Sequence, residues 1–180
     1  MKVKIRRATN DDLNGIYELH IKCFAQTDQW YKANIIDCLK RGIVVVLNNK
    51  IIGVLLQGMI RACDLPQRSL HNNSETHMDI FEPLNENGQL FRGNNLEHTE
   101  FNGIVMICVD PKYRSKGLAK KLIEKHWNDN LNKIVCLDTR RTNIKAISLY
   151  KFLGYDHIAY IKNKYYLPDE DSCFMIKDLT

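Results

Sequence analysis

The stretch Gly103–Trp127, GIVMICVDPKYRSKGLAKKLIEKHW, decides how this chain is read. It opens on an almost unbroken apolar run, the pattern of a buried strand. Asp110-Pro111 makes a compact turn, and Arg114-Ser115-Lys116-Gly117-Leu118-Ala119 leads into a basic, amphipathic helix. A strand that feeds a helix N-terminus through a loop with one close-approach glycine offers backbone N–H groups and the positive end of a helix dipole to an anion. Gly117 removes a side chain that would block a phosphate, Ala119 keeps the next turn small, and Lys116, Lys120 and Lys121 add positive charge at the same end. The open N–H groups and the dipole favour an anion by ~1 kcal/mol, more where partly buried. The spacing has neither the G-K-[ST] of a Walker loop nor the three glycines of a dinucleotide fingerprint. Taken alone, it fits a plain helix start with solvated lysines equally well.

Outward from that junction, the 180 residues are long enough for one domain, 1–180, with a core that needs no staples. Apolar content of 44% and charged content of 26% are ordinary for a globular chain. The net charge of +5 favours an anionic ligand or partner, but the lysines are spread along the chain rather than massed, which argues against nucleic acid. Six cysteines occur without a C-x-x-C pair, and Cys108 and Cys136 sit inside apolar runs, so buried free thiols are expected. No signal-like segment follows Met1 and no apolar run approaches the ~20 residues that span a bilayer. A cytoplasmic protein, in a reducing compartment and away from membranes, is the expectation.

Taken in order, Val3 and Ile5 alternate with lysines as a short strand, and Thr9-Asn10-Asp11-Asp12 caps a helix whose apolar positions run to Phe24. A second helix, Trp30 to Lys40, carries Tyr31, Ile35, Ile36 and Leu39 on one side. Ile43–Leu47 and Ile51–Ile60 form a hairpin about Asn48-Asn49-Lys50. Residues 61–102, rich in Asn, His, Glu and Gly, break the rhythm and read as an insertion or lid. Lys133–Leu137 is a further strand. Asn143–Phe152 is a helix with Ala146, Leu149, Tyr150 and Leu153 on one face, stopped by Gly154. Tyr155–Ile161 and Ser172–Ile176 read as the last strands, joined through Lys162–Asp171. The order predicts an α/β fold with a mixed, mostly antiparallel sheet of about six to seven strands flanked by helices, the insertion preceding the fourth strand.

Two blocks in register, VDPKYRSKGLAKKL and the later NIKAISLYKFLGY, resemble the GNAT acyltransferase superfamily. The first resembles its pyrophosphate-binding motif, the second its N-x-x-A-x-x-x-Y-x-x-x-G-[FY] pattern after the fifth strand. The likeness extends to IRRATNDDL at the start and FMIKDL at the end, leaving only the insertion outside. It implies acetyl-CoA as donor, with no metal. The backbone of Met106, Ile107, Cys108 and Val109 would pair with the pantetheine arm. The amides of Arg114, Ser115, Lys116, Gly117, Leu118, Ala119 and Lys120 would take the pyrophosphate, and Asn143 would reach the cofactor from the second motif.

Acyl transfer to nitrogen requires an amine that loses a proton and a thiolate, of thiol pKa around 8.5, that leaves better if it gains one. The resemblance makes Tyr150 the general acid, although its place on an apolar helix face also fits a core aromatic. A backbone N–H at or near Met106 would polarise the carbonyl. Asp138 is the candidate base, at the expected end of the fifth strand; a capping aspartate fits equally. His98 and Glu100 are alternatives. The resemblance is nearest to the protein N-terminal acetyltransferase branch, in which paired tyrosines between the last two strands grip a peptide; here those are Tyr165 and Tyr166. Phe24 and the polar loop after it would form the opposite wall. Asn102 and Asp138 depart from the tyrosine and histidine of that branch. The expected acceptor is a protein or peptide amine, a protein N-terminus or lysine. The alternatives are a small-molecule amine of polyamine or aminoglycoside type, and a catalytically silent CoA-binding module. Cys63, His71 and His77 share the insertion without a zinc spacing, and Trp30 and Trp127 read as packing residues.

Overall fold

In a computed structural model of the chain, residues 2–61, 100–131, 134–166 and 170–180 are described, the side chains of 59–61, 100, 101 and 157–166 excepted. They carry seven strands and four α-helices of 8 to 11 residues, in the expected α/β order. The strands are β1 (Lys4–Arg7), β2 (Ile43–Leu47), β3 (Lys50–Arg61), β4 (Glu100–Val109), β5 (Ile134–Arg140), β6 (Asp156–Tyr166) and β7 (Glu170–Asp178). The helices are α1 (Leu13–Cys23), α2 (Lys32–Leu39), α3 (Leu118–Asn128) and α4 (Ile144–Phe152). Contacts group the chain into two compact units, residues 1–58 with 104–131 and residues 59–103 with 132–180.

In the first unit the strands run in the order β1-β2-β3-β4. β1 and β2 pair antiparallel with Ile5 opposite Val45, and β2 turns into β3 with Leu47 opposite Lys50. Asn48 and Asn49 take the tight turn at φ +48° and +60°, the left-handed region that asparagine tolerates better than most residues. Alternation in these strands sorts two faces. Val44, Val54, Leu56, Met106 and Cys108 join Ile16 and Leu19 of α1 and Ile35 and Leu39 of α2 in one core. On the other face, Gly53 sits close to Leu122 of α3, itself fully buried. Truncating such a side chain to alanine costs about 2–5 kcal/mol. The predicted single apolar side of the second helix is narrower than expected. Ile35 and Leu39 are buried, whereas Tyr31 precedes the helix and is 82% exposed, and Ile36 is 50% exposed.

Before α1, Asp12 organises the chain entry. Its carboxylate accepts from Arg6 at 2.6 and 2.8 Å, from the Thr9 amide at 2.8 Å and from the Thr9 hydroxyl at 3.1 Å. The Arg6 hydrogen bonds, with those from Thr9, hold the Asp12 carboxyl down at about 2 against the desolvation of its site. Beneath α3 lies a buried polar group: Asn130 Nδ2 donates to the His126 carbonyl at 2.7 Å and to Gln57 at 3.3 Å, and stands 3.2 Å from His126 Nδ1.

In the second unit the order is β5-β7-β6, antiparallel throughout. The middle strand β7 is buried continuously from Ser172 to Ile176, because both of its edges are paired and alternation gives way to an apolar run. β6 is longer than predicted and runs to Tyr166, so Tyr165 and Tyr166 lie on strand backbone rather than in a connection, with Tyr166 opposite Glu170. Helix α4 buries Tyr150 and is followed by buried Leu153 and Tyr155. Gly154, at φ +79°, lets the chain close α4 with Tyr155 N bonded to Tyr150 O and Gly154 N to Lys151 O. Residues 62–99 of the predicted insertion, with Cys63, His71, His77 and His98, lie outside the described residues, as do the side chains of Glu100, Tyr165 and Tyr166.

Candidate active site

Each unit carries its own group of candidate residues. In the first, β4 ends at Val109 and Asp110 starts the turn. Asp110 is 2% exposed; it accepts from the Lys112 amide at 3.0 Å and from Lys22 Nζ at 2.6 Å, while its own amide donates to the Ile52 carbonyl at 2.9 Å. The Lys22 hydrogen bond is the chief cause that holds the Asp110 carboxyl below the usual range. Sequence reasoning placed Asp110 in a turn and missed Lys22, because no local signal links α1 to a residue so distant along the chain.

Beyond Asp110, a single 3-10 turn over Pro111–Tyr113 leads to Arg114, whose Nε donates to the Val109 carbonyl at 3.0 Å. The guanidinium thus ties the loop back onto the strand it leaves. Ser115 and Gly117 both take positive φ, +59° and +72°. Gly117 is the residue before α3, and a Cβ built on it would meet no atom within 4 Å. Its glycine therefore answers to backbone conformation and to open space, not to packing. The first helical bond closes from Lys121 N to Gly117 O at 3.1 Å, so the amides of Leu118, Ala119 and Lys120 precede the helix's own ladder. Lys116 lies over the Tyr113 ring at 5.4 Å, and Lys120 pairs with Glu124 at 3.7 Å. The loop end and helix start thus present amides outside the helix ladder, in the strand–turn–helix order expected from the sequence. Met106, Cys108 and Val109 are buried in β4, with Ile107 between them partly exposed.

Phe24 follows α1, is partly buried, and packs against the core of the first unit; its ring lies 4.8 Å from that of His20. His20 Nε2 accepts from the Trp30 amide at 2.7 Å, which ties the end of α1 to the start of α2. A cavity of 490 Å³ in the same unit is lined by Asp11, Glu18, Lys22, Lys50 and Asp110, and by no residue of 114–120.

In the second unit, Asp138 belongs to the interior of β5, which continues to Arg140; the expectation that it ends the strand is corrected by the pairing of Arg140 with Ser172. Its Oδ2 accepts from the buried Ser172 hydroxyl at 3.4 Å. Asp138 is the charged neighbour of a buried set. Burial first, and the Asp138 charge second, push up both the Tyr150 hydroxyl and the Cys136 thiol, the latter to about 12. Tyr150 is 5% exposed and meets Tyr155 edge-on at 5.9 Å. Tyr150 is thus a core aromatic whose hydroxyl burial, and then the Asp138 charge, keeps protonated.

Asn143 caps α4. Its Oδ1 accepts from Ala146 N at 3.3 Å and its Nδ2 donates to Thr139 Oγ1 at 3.3 Å. Glu170 clamps the turn ahead of it, accepting from the Thr142 amide at 2.9 Å, from the Thr142 hydroxyl, and from Arg140 at 2.7 Å. The Thr142 bonds lead the causes that hold the Glu170 carboxyl at about 2. Sequence reading passed over Glu170 because its partners lie on another strand.

A strand that feeds a helix start through residues at positive φ, in a mixed sheet flanked by helices, defines an α/β protein with open helix-start amides after β4. The sequence profile of the acetyltransferase (GNAT) family matches residues 9–155, and the chain belongs to that family. It is 38% identical over 85 residues to the [ribosomal protein bS18]-alanine N-acetyltransferase of Escherichia coli strain K12, a match covering 44% of this chain and 54% of the relative. Over 80 residues it is 34% identical to an N-alpha-acetyltransferase of Saccharolobus solfataricus, covering 42% of this chain and 47% of that protein. The chain thus spans about half the length of the curated relatives it matches. The crystal structure of the Escherichia coli ribosomal-protein-S18-alanine N-acetyltransferase superposes with a TM-score of 0.70 at 16% identity, over 99% of this chain and 95% of that one, which establishes the shared fold.

Proposed function

We propose that the protein transfers an acetyl group from acetyl-CoA to a primary amine of a protein or peptide. The observation that carries the reading is the cradle after β4: Ser115 and Gly117 at positive φ, Arg114 tied back to Val109, and helix-start amides ahead of the first bond of α3. Such a concavity suits a pyrophosphate. In this reading the amides of Arg114 to Lys120 take the pyrophosphate, the backbone of Met106 to Val109 takes the pantetheine arm, and Asn143 completes the donor set.

The chemistry assigned to the second unit is proton handling. The amine nitrogen attacks the thioester carbonyl, with Asp138 accepting the amine's proton directly or through water. A β4 amide at or near Met106 stabilises the oxyanion. The C–S bond then breaks, the electron pair leaves on sulfur, and the Tyr150 hydroxyl supplies a proton there. Burial keeps this phenol protonated at neutral pH and also weakens it as an acid, so it hydrogen-bonds the departing sulfur and gives up its proton only as negative charge builds there. The relatives named for a ribosomal-protein alanine and for N-alpha-acetylation support a protein amine as acceptor. The loop from Phe24 to Trp30, with Tyr165 and Tyr166, is assigned to the acceptor side.

Thiol release from acetyl-CoA, measured with a panel of peptides against polyamines and aminoglycosides, tests the reading. Turnover is expected on peptide amines. Turnover confined to small amines would replace the acceptor class, and donor binding without turnover on any amine would leave a silent CoA-binding module. Gly117→Val should raise the acetyl-CoA Kd at least ~10-fold, since it places a branched side chain in the cradle and strains a left-handed residue. Unchanged donor affinity would remove the cradle from the argument.

A further inference from the structure

We propose that His20 is a positioning residue for the acceptor: from inside α1 it fixes the exit of the Phe24–Trp30 loop, so that the loop holds its binding conformation before a peptide arrives. The inference rests on the assignment of that loop to the acceptor side, and adds the residue that sets its shape. His20 is 1% exposed, and its Nε2 accepts from the Trp30 amide at 2.7 Å. A ring nitrogen that accepts from a backbone N–H carries a lone pair, so the imidazole is neutral with its proton on Nδ1. That Nδ1 is buried and has no hydrogen-bond partner among the described residues.

The orphaned N–H shows what the imidazole is for. A buried donor left unpaired costs stability. Packing here asks only for an apolar side chain, since the rings of Phe24 at 4.8 Å and Trp30 at 6.4 Å flank the site. Leucine would pack without that cost, but it could not accept from Trp30. The imidazole therefore answers to the loop exit, not to the core.

The rest of the loop is held in the same manner. A single 3-10 turn over Gln26–Asp28 shapes its tip, and Gln29 Nε2 reaches back to the Phe24 carbonyl at 3.1 Å and the Ile21 carbonyl at 3.4 Å. The helix end to which these bonds run is itself fixed, with Lys22 Nζ on Asp110 at 2.6 Å and Cys23 Sγ donating to the Val109 carbonyl at 3.5 Å. Phe24 and Trp30 pack against the core of the first unit, whereas Ala25, Gln26 and Thr27 between them are exposed. Both ends are thus anchored while the tip faces solvent. A loop already held in one conformation loses less freedom when a ligand orders against it, which tightens binding without speeding the chemistry.

Hydrogen exchange at the Trp30 amide reads the latch, and initial rates with the panel peptide that the unsubstituted protein acetylates best read its consequence. In His20→Leu, Trp30 exchange should quicken at least ~10-fold and the peptide KM rise ~5–10-fold, with kcat and the acetyl-CoA Kd within ~2-fold. His20→Gln, whose Oε1 can accept in place of Nε2, should return most of both. Gln29→Ala, which frees the loop without disturbing the interior of α1, should raise the peptide KM in the same way and carries the test if His20→Leu does not fold. The proposal is overturned if Trp30 exchange is unchanged in His20→Leu, if kcat and donor affinity drop alongside the peptide KM, or if the KM stays put in the variant that is read. Absence of turnover on any amine in the unsubstituted protein would remove the transfer reading and this proposal with it, whereas turnover with an unmoved peptide KM removes the proposal alone.

Discussion

Acid should unfold this protein through a histidine that takes no part in its chemistry. His126 lies on α3 with 0% exposure, its Nδ1 3.2 Å from Asn130 Nδ2 and its Nε2 without a hydrogen-bond partner among the described residues. Nδ1 faces an amide donor, so the ring is neutral with its proton on Nε2. Burial lowers its pKa from 6.5 to about 4; Asp129 opposes that and Arg7 reinforces it. The folded value lies below the unfolded one, so the native state resists protonation that the unfolded chain accepts. The stabilisation is fully present above pH 6.5 and drains as pH falls toward 4. A depression of this size corresponds to about 3 kcal/mol in total, of which about 2 kcal/mol is lost between pH 7 and pH 5.

The perturbation that isolates this contribution is His126→Leu, which leaves Asn130 its bonds to the His126-position carbonyl and to Gln57. Urea unfolding at a series of pH values reads it. The wild type should lose about 2 kcal/mol more than the variant between pH 7 and pH 5. His20 is depressed by burial too and acts in the same direction, but it remains in both proteins and cancels from the difference. Parallel stability curves for the two proteins over that range would refute the reasoning, because a neutral buried imidazole cannot be removed without removing its proton linkage.

Tyr150→Phe should keep acetyl-CoA affinity and lower kcat by about 100-fold or more, measured by thiol release, since only the proton donor is lost; a variant with full kcat would remove Tyr150 from the mechanism. Asp12→Ala should cost about 1–2 kcal/mol in urea unfolding at pH 7, because it strips the Thr9 amide and the Arg6 guanidinium of their acceptor. The Asp12 contribution is present above the ordinary carboxylate range and lost as pH falls toward about 2, a window below that of His126.

Much of this protein was legible along the chain. Gly103–Trp127 reads as strand, turn and helix, because a buried strand, an Asp-Pro turn and a glycine before an amphipathic helix each act over a few residues. Gly154 and the face of Ala146, Leu149, Tyr150 and Leu153 are local in the same sense, and so is the Asn48-Asn49 hairpin. What escaped is what depends on partners brought from far along the chain. Asp138 reads as a strand end because nothing before or after it reveals that Arg140 pairs with Ser172. Tyr165 and Tyr166 read as a connection because their polar, lysine-bearing neighbourhood hides the extension of β6. Tyr31 and Ile36 fit an apolar helix face by period, yet only packing against α1 and β2–β4 decides which of those positions is covered.

The sequence by itself determined the strand, turn and helix of Gly103–Trp127 and the family, since both rest on residues within a few turns or on motifs in fixed register. Only the tertiary structure decided that Lys22 neutralises Asp110, that Glu170 clamps the entry to α4, that burial and Asp138 keep the Tyr150 hydroxyl protonated, and that Cys23 and Arg114 meet the same Val109 carbonyl. Charge and desolvation act through space, and their strength depends on distance and on how much water is excluded, neither of which is written in the order of residues.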